Sequence, residues 1–206
     1  MKTGLIEKRT YFIRLVSIFI LCFLFFQAHA LHAEANNTDE NLPKSTKSAK
    51  WIKVAGRYFD IYYEPSVNIK YINRRLENKF FSMSGSSQSK SISSQKEKLS
   101  TNMDMILLKV KEILNMYPRM KKAKIYIYKD RDGVKQEHLS IFRKKSDAKS
   151  FYIYKHNTIY TNAKDISDSI MSHEMAHMVV DNYFAVRPPD KIKEILSMYV
   201  DRHLDD

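Results

Sequence analysis

The stretch Ser167-Asp168-Ser169-Ile170-Met171-Ser172-His173-Glu174-Met175-Ala176-His177-Met178-Val179-Val180-Asp181 decides how the chain folds around its chemistry. Ser167 or Asp168 can cap a helix by accepting from the free N–H groups of its first turn. The helix is expected to run to about Phe184, before Arg187-Pro188-Pro189-Asp190 breaks it. His173 and His177 are four residues apart, so their imidazoles share one face, one turn apart, where they can bind a single metal ion and leave positions open. Glu174, beside the first histidine, is poorly placed as a ligand but can take a proton from a water at the metal. Ile170, Met171, Met175, Ala176, Met178, Val179 and Val180 make the helix apolar around most of its circumference, which predicts burial. A buried His-Glu-His group without a partner is costly, and a metal satisfies all three. The bland alternative is a helix ion pair at this spacing by chance. With seven histidines in 206 residues, on the order of 0.01 chance matches to H-E-x-x-H are expected.

Two histidines need a third ligand. Glu194 lies near the start of a final helix predicted over about Lys191 to Leu204, and a helix returning antiparallel to the first brings it toward the metal. On its own residues, Glu194 could equally be a solvated side chain. Ile192, Ile195, Leu196, Tyr199 and Val200 are expected on the inner face of this helix.

Upstream, Val54 to Tyr63 is dense in β-formers and reads as one strand ended by Glu64-Pro65. Helical spacing follows over Val67 to Phe81 and again over about Leu99 to Met116, the latter stopped by Tyr117-Pro118. Between them a Ser-rich loop at about 82–98 offers little to a core. Lys124 to Tyr128 and Phe151 to Thr161 are β-rich, with Lys155-His156-Asn157 as a hairpin turn. This order of strand, helices, strands and two helices gives an α+β domain with a small sheet over 51–206. No internal repeat is present.

Residues 1–30 read as a signal peptide: Lys2, Lys8, Arg9 and Arg14 lead an apolar run from Leu15 to Phe26, and Ala28-His29-Ala30 offers a cleavage site. Ala33-Glu34-Ala35 is a second candidate, so cleavage extends up to 35. The run is shorter than the roughly 20 residues of a spanning helix, which favours removal over an uncleaved anchor. The protein is therefore expected to be exported, periplasmic or secreted. Residues 31–50 are polar and form a flexible leader. Cys22, the only cysteine, falls in the apolar run, so the mature domain relies on its core and a metal instead of disulfides. Cutting after Ala30 removes four bases and one acid (Glu7), lowering the formal charge from +12 to +9. The remaining bases are scattered. That pattern argues against nucleic acid and suits contact with acidic envelope or membrane surfaces.

The last third resembles the gluzincins of the peptidase-MA-like type, in which an H-E-x-x-H helix is followed by a helix opening W-L-x-E-G-x-A-x-Y. Lys191-Ile192-Lys193-Glu194-Ile195-Leu196-Ser197-Met198-Tyr199 matches that pattern in register at Glu194 and Tyr199, with Ile192 for Leu and Ser197 for Ala. Lys191 and Ile195 replace its Trp and Gly, and Met198 stands where many members place an Asp. More weakly, the likeness extends to the strands Phe59-Asp60-Ile61-Tyr62-Tyr63-Glu64, Lys124 to Tyr128 and Thr158-Ile159-Tyr160. The resemblance implies a zincin-like domain and one Zn2+ per chain held by His173, His177 and Glu194; in place of the acid missing at Met198, Asp181, one turn beyond His177, or Asp201, two turns beyond Glu194, can orient a histidine. It implies a zinc-dependent metallohydrolase, a peptidase, with Glu174 as general base. Tyr160, Tyr183 or Tyr199 would steady the oxyanion, and Asn157 to Asn162 would be the strand edge that holds a peptide or protein substrate. The alternative is a catalytically inactive zinc-binding envelope or interaction protein that keeps the fold. Oligomeric state is not legible.

Export carries a direct check: mass spectrometry of the mature chain is expected to place its first residue between about Leu31 and Asn36. An intact Met1 on a cytoplasmic protein overturns it.

Overall fold

The computed structural model describes residues 51–76 and 94–206. The stretches read as a signal peptide and a leader, and most of the expected Ser-rich loop, lie outside the described residues. The elements are β1 (Ile52–Ala55), β2 (Phe59–Tyr63), α1 (Ile69–Arg75), α2 (Gln95–Leu114), β3 (Ala123–Tyr128), α3 (Arg131–Phe142), β4 (Phe151–Ile153), β5 (Thr158–Asn162), α4 (Asp168–Tyr183) and α5 (Asp190–Arg202). A short 3-10 turn, Tyr154–His156, joins β4 to β5. The fold is α+β around a mixed five-stranded sheet in the order β1-β2-β3-β5-β4. β2, β3 and β5 run parallel, and β1 and β4 pair antiparallel at the two edges. No helix among the described residues is long and apolar enough to cross a membrane.

Several boundaries differ from expectation for identifiable reasons. The stretch read as one strand from Val54 to Tyr63 is a hairpin, because Gly56-Arg57-Tyr58 turns the chain and the Gly56 N–H closes onto the Phe59 carbonyl at 2.8 Å. Hydrophobic density alone cannot show such a turn. α2 begins at Gln95, inside the expected loop, because Ser94 caps it by accepting from the Glu97 N–H. α1 ends at Arg75, and the rest of the helix expected to Phe81 lies outside the described residues beyond Leu76. α3 was not anticipated. Asp130 caps it, and its few apolar residues, including Val134 and Ile141, pack where the sheet leaves an aromatic face to cover.

The sheet is buried on both faces, and side-chain alternation sorts its residues. Phe59, Ile61, Ile125, Ile127 and Ile159 face α2 and α4, joining Met103, Ile106, Leu107, Met171, Met175 and Val179 in the main core. Tyr62, Tyr126, Tyr128 and Tyr160 face the other way, toward α3. In-register pairing places Tyr62, Tyr126, Tyr160 and Phe151 side by side across four strands. Their rings stack with centroids 4.9, 5.6 and 4.9 Å apart, each contact contributing about 0.5–1.5 kcal/mol beyond burial. This ladder ends on β4, a strand of three residues, and fixes its register where few ladder hydrogen bonds exist to do so.

Asn162, fully buried at the end of β5, ties three segments together. Its amide nitrogen donates to the Lys149 carbonyl and to Asp165, both at 3.0 Å. Its oxygen accepts from the N–H groups of Lys164 and Asp165. It thereby joins the segment before β4 to the turn that leads into α4. Asn162→Ala removes the hydrogen bonds made by this buried side chain and is expected to cost about 1–3 kcal/mol, measured by urea denaturation. A loss within error of zero contradicts the account.

Candidate metal centre

α4 starts where Ser167 accepts from the Ile170 N–H and runs through the core, with Met171, Met175, Ala176, Met178, Val179 and Val180 buried. α5 returns beside it after the Pro188-Pro189 break. Its buried side is Ser197 and Val200, and the small Ser197, fully buried, lets the two helices approach. One turn before Ser197, Glu194 reaches both histidines: its Oε2 lies 3.5 Å from His173 Nε2 and its Oε1 3.4 Å from His177 Nε2.

His173, His177 and Glu194 offer one ligand atom each, all within 4.8 Å of one another, and this group could hold a metal ion. The spacing is a test of fit. Ligand bonds of about 2.0–2.1 Å in a tetrahedral site put neighbouring ligand atoms roughly 3.3 Å apart; each imidazole has one carboxylate oxygen near that distance, a different oxygen for each, and the group taken with one atom per residue is somewhat wider. The histidine on the other side of the test also fits: His173 Nδ1 is 3.0 Å from Asp201 Oδ2, so the carboxylate holds the proton on that nitrogen and leaves Nε2 free to ligate. Of the two acids expected to orient a histidine, Asp201 is the one in contact. Asp181 is buried one turn past His177 and lies 3.6 Å from Lys193 Nζ, an ion pair beyond hydrogen-bond length.

Electrostatics differ among the polar groups. The hydrogen bond to Asp201 raises the His173 pKa against the opposing effect of burial. Burial holds His177 in its neutral form more strongly than usual, as a ligand nitrogen requires. Glu174, only 7 % exposed, has its pKa raised by burial, opposed by hydrogen bonds from Ser150 and the Tyr152 main chain and by His173. Ser150 Oγ donates to Glu174 Oε1 at 2.7 Å. The carboxylate beside the first histidine is thus tied to the edge strand.

These groups line an open cleft of about 310 Å3, walled by Ser150, Phe151 and Tyr152 on one side and by Lys193, Glu194 and Asp190 on the other. Two expectations about it are corrected. The strand edge beside α4 is β4: β5, the expected edge over Asn157 to Asn162, is enclosed between β3 and β4. None of the three expected tyrosines lines the cleft. Tyr160 is 1 % exposed within the aromatic ladder. Tyr199 packs on His203 with ring centroids 4.1 Å apart, and Tyr183 meets Phe184 edge-on at 5.2 Å. The cleft tyrosine is Tyr152, whose hydroxyl donates to Asn157 at 3.2 Å and lies 3.5 Å from Asn182 Nδ2. Ser150 and Tyr152 escaped sequence reading because nothing local marks a serine and a tyrosine that face an acid more than twenty positions downstream.

Comparison with protein-family models, with curated proteins and with solved structures finds no match to the chain.

Metal titration followed by calorimetry is expected to give one site per chain. Glu194→Ala should remove most of the affinity, since one of three ligands is lost. Asp201→Asn should weaken it less, by roughly 10–100-fold, through the orientation of His173. Equal effects of the two substitutions would contradict the assignment of Glu194 as a ligand and Asp201 as its neighbour's support.

Proposed function

We propose that the protein is an exported zinc-dependent metallohydrolase of the gluzincin type, a peptidase that cleaves peptide bonds in an extended substrate. One observation carries this reading: Glu194 lies between His173 and His177, while Glu174, next to His173 on α4, is held by Ser150 from the residue before the edge strand β4. The ligand set of two imidazoles and one carboxylate suits zinc with positions left open for chemistry. Zinc bound there would polarise the scissile carbonyl and acidify a water.

The remaining roles belong to this chain's own side chains. Glu174 takes a proton from the attacking water as its oxygen bonds to the carbonyl carbon, and later delivers that proton to the leaving nitrogen as the C–N bond breaks. Water and amide become acid and amine, with no other reactant. Ser150 and the Tyr152 main chain keep the carboxylate in place for both transfers. Because Glu174 is buried against β4, it is dry enough for its basicity to matter and close enough to the metal group to act on the same water. β4, an antiparallel edge among the described residues, offers a main-chain ladder on which an extended peptide can lie beside the metal. Export rests on the basic lead and apolar run of residues 1–30.

Glu174→Gln keeps size and hydrogen bonding but cannot carry the proton. It is expected to leave metal content unchanged while hydrolysis of a denatured protein substrate falls by roughly 10^2 to 10^4-fold. Activity surviving this change would refute the mechanism. Bound metal with no turnover in the native chain would favour the inactive, zinc-binding alternative.

A further inference from the structure

α5 has three sides with different tasks. Ser197 and Val200 face the body of the domain, and Glu194 and Asp201 face the histidines. The third side was expected to be interior and is not: Ile192, Ile195 and Tyr199, at the i, i+3, i+7 positions of one stripe, are 43, 53 and 46 % exposed. Met198 beside them is 51 % exposed, and at the hairpin end Tyr183 is 49 % and Val186 84 % exposed. A helix in a folded domain seldom turns a stripe of this kind to water without a partner.

Charge identifies the partner. Lys191, Ile195, Met198 and Arg202 follow one another at i, i+4, i+7 and i+11, so the apolar stripe carries a cation at each end. Both cations are exposed. The helix's acids are turned elsewhere: Asp190 pairs with Lys193 at 2.8 Å, and Glu194 and Asp201 contact His173. Asp205 and Asp206 lie beyond the helix end. A second copy laid on this face would bring cations against cations in a chain that is strongly basic with or without residues 1–30. An anionic lipid surface instead matches both features, since it accepts apolar and tyrosine side chains at the headgroup level and attracts flanking lysine and arginine.

We propose that the outer face of α5, with the turn before it, seats the domain on an anionic lipid bilayer. The helix, 13 residues long, would lie in the plane of the headgroups. Glu194 precedes Ile195 by one residue, about 100° around the helix. The metal cleft therefore stands beside the lipid surface and stays open, which directs it to protein segments at the membrane.

The test is made on the chain from Leu31 onward, the form expected after export, with vesicles of brominated phosphatidylcholine, with and without phosphatidylglycerol. Trp51 is the only tryptophan, so the native chain gives the baseline and Tyr199→Trp reports on the stripe; Met198→Trp serves if the first variant does not fold by circular dichroism. Bromine quenching of the new indole on anionic vesicles is expected. Lys191→Glu with Arg202→Glu in that background should weaken binding roughly tenfold or more. Absence of quenching overturns the proposal, as does quenching indifferent to lipid charge. So does a dimer in sedimentation equilibrium that Ile195→Ser dissolves. The readout requires neither metal nor substrate, so failure as a peptidase would leave it intact.

Discussion

Polar chemistry carried on an apolar helix is the constraint to which the rest of the structure answers. α4 must be buried for its Met171, Met175 and Val179 to join the core, yet it brings Glu174 and Asp181 with it, both nearly inaccessible. A buried carboxylate needs hydrogen bonds or an opposite charge. β4 supplies them to Glu174 through Ser150 and Tyr152, and α5 supplies Lys193 near Asp181. The two elements that flank the cleft are thus also those that neutralise the cost of burying its acids.

The precision of that arrangement comes from the opposite face of the sheet. A three-residue strand has few ladder hydrogen bonds, and a slip of one residue would turn every side chain to the other face. Phe151 stacks on Tyr160, which stacks on Tyr126 and so on to Tyr62, so β4 is locked by rings lying away from the cleft. Trp51 closes edge-on over Tyr126 and Tyr128 at 5.1 Å. Asn162 then couples the segment entering β4 to the turn entering α4. Glu174, the two histidines and Glu194 are positioned by one connected set of contacts, although they come from separate elements.

α5 shows how a short helix can carry several demands at once. Its small buried residue, Ser197, permits close approach to α4, and that approach allows Glu194 and Asp201, two turns apart, to reach His173 from different sides. Only part of its circumference remains for packing. Its larger apolar residues are therefore displaced to the solvent side, where packing within the described domain does not use them.

The sequence by itself determined what depends on local rules: the α+β class, the β-rich strands, the capped helix that carries His173-Glu174-Met175-Ala176-His177, and the placing of His173 and His177 on one face. Four-residue spacing on a helix has one geometric outcome, so these were legible without a partner. Helix-breaking residues and register also singled out Glu194, but only α4–α5 packing could decide that it points at the histidines and that Asp201, not Asp181, supports His173. Tertiary structure alone decided that β4 and not β5 is the edge, that Ser150 and Tyr152 hold Glu174, and that Tyr160 is buried in a ladder. It likewise turned Ile192, Ile195 and Tyr199 outward. In each case the local pattern is the same for both outcomes, because periodicity records which residues share a face and says nothing of what that face meets.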